Sequence, residues 1–232
     1  MRQIFVDSRD RIAGSSTDFQ IQLPETLVIE GREHKARVDN LRIPCVIPTI
    51  RAGVNDTIQV RQNGLTYNAT IPQANYTGPN LAAAVRASLQ AAATGDWTVT
   101  YDVNNISMTV SCTVAFTIVG GSYAEQLMSR PYTNTAFSYS FTYVSVLGID
   151  MLYLSSPNFS TLDTVGPGGS HDTLMSAIVT QPFGGVLDVS MPWDSWFTVP
   201  AMTTQQLSFQ LRDRDYNLLS IVPNISFVLL ID

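Results

Sequence analysis

The sequence predicts an all-β fold, a single jelly-roll sandwich of two antiparallel sheets with about eight to ten strands and one short helix in a connection. Three observations carry that expectation. Short runs alternating apolar and polar residues recur along the chain, Gly, Pro and Asn punctuate them, and both ends carry such a run beside an Arg/Asp-rich segment. The opening Phe5-Val6-Asp7-Ser8-Arg9-Asp10-Arg11 and the closing Leu211-Arg212-Asp213-Arg214-Asp215 therefore read as strands of one β domain.

The elements follow in order. Phe19 to Leu23 alternates cleanly and is stopped by Pro24, as a half-buried strand would be. Ala36 to Ile43 is a second strand, with Val38, Leu41 and Ile43 apolar, and Pro44 and Pro48 disrupt pairing after it. Thr57 to Arg61 and Leu65 to Ile71 flank Gln62-Asn63-Gly64, a hairpin signal, because Asn-Gly readily adopts the positive φ angles of a tight primed turn. Leu81 to Ala93 is an alanine-rich helix with Leu81, Val85 and Leu89 on one stripe, opened by Gly78-Pro79-Asn80 and closed by Thr94-Gly95.

Trp97 to Tyr101 and Ile106 to Val110 form a second hairpin around residues 102–105, and Val114 to Val119 is the next strand. Ala124 to Met128 suits a short helical turn, and Tyr132 to Tyr143 is rich in aromatic and hydroxyl residues. Met151 to Leu154, Thr173 to Thr180, Val186 to Ser190, Leu207 to Leu211 and Phe227 to Ile231 continue the β pattern. Thr164 to Ser170, with four Gly or Pro among seven residues, reads as a mobile loop. No repeat and no linker divides the chain, so residues 1–232 are expected to form one domain, with 1–17 as an extended N-terminal arm.

Composition narrows the function. Of the 232 residues 45% are hydrophobic, enough for a core without metals or disulfides. Only 14% are charged, against about 25% in an average soluble domain, and Lys35 is the single lysine. Such a surface suits either coverage by other subunits or a neutral Ser/Thr/Asn/Gln coat. The formal net charge of −6 argues against direct nucleic-acid binding, which needs a cationic patch. No apolar run is long enough for a membrane span. Cys45 and Cys112 sit in apolar strand-like runs and read as buried reduced thiols.

Candidate chemistry is sparse. His34 lies among Glu33, Lys35 and Arg37 and reads as a solvated strand or turn histidine; His171-Asp172 is the one local imidazole and carboxylate, better suited to anchoring the Gly-rich loop than to catalysis. Gly166 to Ser170 lacks the terminal Lys-Ser/Thr of a phosphate loop. Asp7, Asp10, Asp213 and Asp215 could meet around a calcium ion if the ends pair, but Arg9, Arg11, Arg212 and Arg214 interleave with them and neutralise them more simply. No catalytic, metal or cofactor set is therefore expected. Trp193, Trp196 and Phe197 around Asp194 form an aromatic patch suited to sugar stacking, and large aromatics equally serve as core or interface anchors.

One resemblance joins these pieces. Val6 to Arg11, Thr17-Asp18-Phe19, a strand ending Leu41-Arg42-Ile43-Pro44 and the Gly53-Val54-Asn55-Asp56 turn resemble the opening of penton and minor capsid proteins of the double-jelly-roll lineage of icosahedral double-stranded DNA viruses, the virophage, polinton-like and giant-virus type. Ile71 to Thr77, Val99 to Asp102, Phe116 and Leu207 to Asn217 continue it, whereas 120–163 find no counterpart. The resemblance implies a non-enzymatic virion protein, a homopentamer that closes the five-fold vertex beside the double-jelly-roll major capsid protein, with other minor capsid proteins or a vertex fibre as further partners. It implies assembly in the host cytoplasm or a viral factory. Asp7, Ser8, Arg9, Asp10 and Arg11 are the expected assembly interface, with Arg9 and Arg11 facing partner carboxylates; a ladder within the chain is the alternative for that segment. The alternative functions are a minor capsid protein away from the vertex and a carbohydrate- or receptor-binding module using Trp193, Asp194 and Trp196.

Overall fold

A computed structural model describes every residue except 32, 33, 128–133, 145, 147, 161–163, 193, 220 and 221, and only the backbone over 125–127. Among the described residues the strands and α-helices are β1 Arg2–Asp7, β2 Arg11–Gly14, β3 Asp18–Ile29, β4 Lys35–Pro44, β5 Thr57–Gln62, β6 Leu65–Thr70, α1 Gly78–Ala92, β7 Trp97–Asp102, β8 Ser107–Gly120, α2 Ser122–Leu127, β9 Ala136–Phe141, β10 Met151–Ser155, β11 Thr173–Ile178, β12 Val186–Val189, β13 Phe197–Thr198, β14 Met202–Arg212 and β15 Ser226–Ile231. The chain divides into two compact units, one of Met1–Ile47 with Ile149–Asp232 and one of Pro48–Gly148. This differs from the single domain expected over 1–232. Each unit buries its own apolar cluster, and no Gly- or Ser-rich linker marks the joins because the second unit is inserted between two strands of the first.

The first unit holds two five-stranded antiparallel sheets, β1-β15-β4-β12 with β13 also on β4, and β11-β10-β14-β3-β2. Setting aside the short β2 and β13, every step along the chain crosses to the other sheet except the hairpin β10 to β11. Alternation between two sheets in this order is a jelly roll. The expected fold class therefore holds, and the insertion occupies the connection from β4 to β10. The 1–17 segment is not an arm. β1 pairs along its full length with β15, from Arg2 opposite Ile231 to Asp7 opposite Ser226, and β2 pairs with β3.

Alternation gives each strand one inward face. Phe19, Ile21 and Leu23 of β3, Leu207, Phe209 and Leu211 of β14, and Phe227, Leu229 and Ile231 of β15 all enter the same buried cluster. Phe209 lies 5.7 Å from Phe19 between ring centroids, its cross-strand neighbour, and 5.0 Å from Phe227 of the opposite sheet, edge to face at 80°. In β4 the inward residues are Ala36 and Val38, then Leu41 and Ile43. The break in period falls on Asn40, whose φ of 50° belongs to a bulge where the pairing with β15 shifts register. Pro24 does not end β3 as expected. It sits where the pairing skips from Gln22 opposite Gln206 to Leu27 opposite Thr204, so its missing N–H interrupts the ladder locally and the strand resumes.

The second unit has the sheet order β6-β5-β8-β7 with β9 also paired to β8. The β5–β6 hairpin closes through Asn63 and Gly64, at φ 50° and 81°, as the Asn-Gly signal requires. The strands expected at 106–110 and 114–119 are one continuous β8, whose first half pairs with β7 and whose second half pairs with β5. α1 starts three residues earlier than expected, at Gly78, where a Cβ would fall 2.2 Å from the Tyr101 ring. Leu81, Val85 and Leu89 are buried as read from the sequence. The core centres on Phe116, 4.7 Å from Trp97 and 5.1 Å from Tyr139 between centroids. Its two ends meet: the Thr49 hydroxyl lies 2.9 Å from the Val146 carbonyl oxygen, and a Cβ on Gly148 would lie 2.8 Å from the Pro48 carbonyl.

Phe209→Ala should remove about 3–5 kcal/mol of stability, read as a drop in the urea midpoint at unchanged slope. A loss under about 1 kcal/mol would contradict the placing of this ring between the sheets.

Candidate functional site

The Asp7 to Arg11 segment is a tight exposed turn between β1 and β2. Asp7 caps a 3-10 turn over Ser8–Asp10 by accepting from the Arg9 backbone N–H at 2.9 Å, and its carboxylate also takes the Arg9 Nε–H. The Arg9 guanidinium, hydrogen-bonded to Asp7, holds that carboxyl below the usual carboxylate range. Arg11 donates to the Ser8 carbonyl oxygen at 2.8 Å. Ser8 is fully buried, and its Oγ accepts from the Ile225 N–H at 2.9 Å while its own N–H donates to the Ile225 carbonyl. The turn is thus riveted from beneath by Ser8 and presents Arg9, Asp10 and Arg11 outward. The ladder within the chain runs along β1 and β15, and Arg9 is paired to Asp7 beside it.

The second Arg/Asp segment does not meet the first as an ion-pair partner. Asp213 is buried and accepts from the backbone N–H groups of Asp215 and Asn217, at 3.0 and 2.9 Å. Arg212 donates to the Tyr216 and Gln210 oxygens and lies 4.6 Å over the Tyr216 ring, and Arg214 pairs with Asp150 at 2.7 Å. The charges are neutralised locally rather than between the two ends. Among the described residues no three His, Cys, Asp or Glu side chains gather as a metal site would need, so the four aspartates do not converge.

His171 Nδ1 lies 3.1 Å from the Thr164 carbonyl oxygen, and the Asp172 carboxylate accepts from the Tyr216 hydroxyl. Both residues anchor neighbouring loops. The Gly-rich stretch closes on itself, with the Gly166 N–H donating to the Ser170 carbonyl at 2.7 Å. His34 Nδ1 lies 2.8 Å from the Asp232 backbone oxygen. Cys45 and Cys112 are free and buried, and burial pushes the Cys45 thiol up.

The aromatic patch is largely spent on the fold. Trp193 lies outside the described residues. Phe197 is a core residue on β13, Trp196 is half-buried with Arg37 5.3 Å over its ring, and Asp194 is exposed beside it. An uncharged face elsewhere escaped the sequence reading: Thr98 and Thr100 of β7, Thr109 and Ser111 of β8, and Ser138 and Ser140 of β9 align across three strands. The signal that could have found it is the repeated hydroxyl-x-hydroxyl pattern in three successive strands.

No protein-family model matches this sequence, and no curated protein matches it. In structure the chain is similar to the crystallised penton protein of mavirus, with a TM-score of 0.53 and 9% identity over 100% of this chain and 99% of that one. It is also similar, with a TM-score of 0.41 and 12% identity, to a chain of the Sputnik virophage solved by cryo-electron microscopy, over 99% of this chain and 97% of that one. The likeness to the mavirus penton is one of fold along the whole length.

Ser8→Ala would leave the Ile225 N–H buried without an acceptor, at a cost of about 1–3 kcal/mol in urea unfolding. An unchanged midpoint would show that the turn is not held from below.

Proposed function

We propose that this chain is a structural subunit of an icosahedral virus capsid, and specifically a penton that forms a homopentameric ring at the five-fold vertex beside a double-jelly-roll major capsid protein. The observation that carries the reading is the end-to-end correspondence of fold with the mavirus penton, insertion included, in a chain whose strand order is itself a jelly roll. The virophage-type motifs at both ends of the sequence support it independently. The physical character of the chain agrees: two cores built without disulfides and a surface with few charges suit a subunit whose flanks are covered by neighbours. A cyclic ring closes its own heterologous interfaces and so ends assembly at a fixed copy number.

In this reading the protein works in the virion by fit, not by turnover, and is assembled in the host cytoplasm or a viral factory. The Asp7 to Arg11 turn supplies part of the assembly surface. Its backbone is fixed by Ser8, and Asp10 and Arg11 stand outward where a neighbouring subunit can take them.

Cryo-electron microscopy of particles that contain this protein tests the proposal. Five copies of the jelly-roll unit around each five-fold axis are expected. Density for the chain at any other lattice position, or its absence from purified particles, would overturn the penton reading.

A further inference from the structure

The second unit presents a sheet face built of hydroxyls. Across β7, β8 and β9, Thr98 lies opposite Ser111 and Ser111 opposite Ser138; in the next row, Thr100 lies opposite Thr109 and Thr109 opposite Ser140. Successive strands are about 4.8 Å apart and same-face residues about 6.7 Å apart along a strand, so the six form a regular grid. Thr98, Thr100, Ser138 and Ser140 are exposed and Thr109 and Ser111 half-exposed in the full chain. The grid is linked internally by hydrogen bonds between Thr109 and Ser140 at 3.0 Å and between Ser111 and Ser138 at 2.9 Å. Each linked pair still has lone pairs and a rotatable proton to offer outward.

Charge and apolar surface at the margins narrow the ligand. No Lys or Arg occurs between residues 87 and 129, and none of residues 131–149 is charged, so these strands carry no cation to pair with an anionic group. The carboxylates of Asp96 and Asp102 flank the two ends of β7, both exposed. Hydrogen bonds from the Asn104 backbone N–H and the Asn105 amide hold the Asp102 carboxyl below the usual range, so it is ionised at neutral pH. Next to that end, the Val144 N–H donates to the Ile106 carbonyl at 2.8 Å and the Tyr101 hydroxyl donates to the Val144 carbonyl at 3.2 Å. Those bonds fix the backbone beside Tyr143, whose side chain is 84% exposed.

We infer that this face of the second unit is a binding surface for a neutral glycan. A pyranose offers hydroxyls that exchange donors and acceptors with a Ser/Thr grid, and a C–H face that packs on an exposed ring such as that of Tyr143. Sialylated or sulfated chains meet only carboxylates here and are repelled. The inference does not depend on the penton reading, since a free chain displays the same face.

The test is a glycan array probed with the full chain, carrying neutral N-acetyllactosamine and oligomannose glycans beside their sialylated and sulfated counterparts. Binding confined to neutral glycans is expected. The double variant Thr100→Val with Ser140→Ala keeps strand shape while removing two hydroxyls, and should weaken that binding about tenfold. Tyr143→Ala should weaken it as well, and an unchanged far-ultraviolet circular dichroism spectrum would show both variants folded. No binding to the neutral glycans, a preference for the anionic ones, or undiminished binding by both folded variants would each overturn the inference.

Discussion

Phe209 sits where the first unit is made or lost. Its ring touches Phe19 within its own sheet and Phe227 in the facing sheet, so one side chain couples strand pairing to sheet stacking. Neither sheet can be covered on its inner face without the other, because alternation leaves each with a continuous apolar side. Everything else in the unit is arranged to keep those faces in register. The Asn40 bulge corrects the phase of β4 halfway along, the break at Pro24 lets β3 pass a residue that cannot join the ladder, and Ser8 ties the β1 turn to the start of β15.

That arrangement also explains how 101 residues, Pro48–Gly148, can be carried between β4 and β10. A connection in a sandwich tolerates a long insertion when the insertion is folded and its ends lie together, since the loop-closure cost then stays small. Thr49 against Val146, and the bare approach of Gly148 to Pro48, bring the ends together inside the second unit. The jelly roll supplies the fold shared with the mavirus penton, while the insertion adds the hydroxyl face, so assembly and surface recognition are assigned to different cores.

Much of this was legible in the residues. Period-two alternation located the strands of both units, Asn63-Gly64 specified its turn, and the Leu81, Val85, Leu89 stripe specified α1, because each depends on local geometry. Even the Val38 to Leu41 spacing announced the bulge at Asn40, had it been read as a phase break. What stayed hidden depends on long-range packing. Alternation says that a face is buried but not in which core, so two clusters read as one domain. Pro24 looks like a stop unless the opposite strand is known to yield around it. The Arg/Asp segments at the two ends look like partners by composition, yet Asp213 is consumed by its own turn and Arg214 by Asp150. Trp196 and Phe197 look like a ligand platform until Arg37 and the core claim them.

The central claim is that the jelly roll is complete without the inserted unit. Replacing residues 48–148 by a short Gly-Ser linker and following amide hydrogen exchange in the shortened chain tests it most directly. The account predicts slow exchange retained along β3, β14 and β15, around Phe19, Phe209 and Phe227. Uniformly fast exchange, as in an unfolded chain, would contradict it.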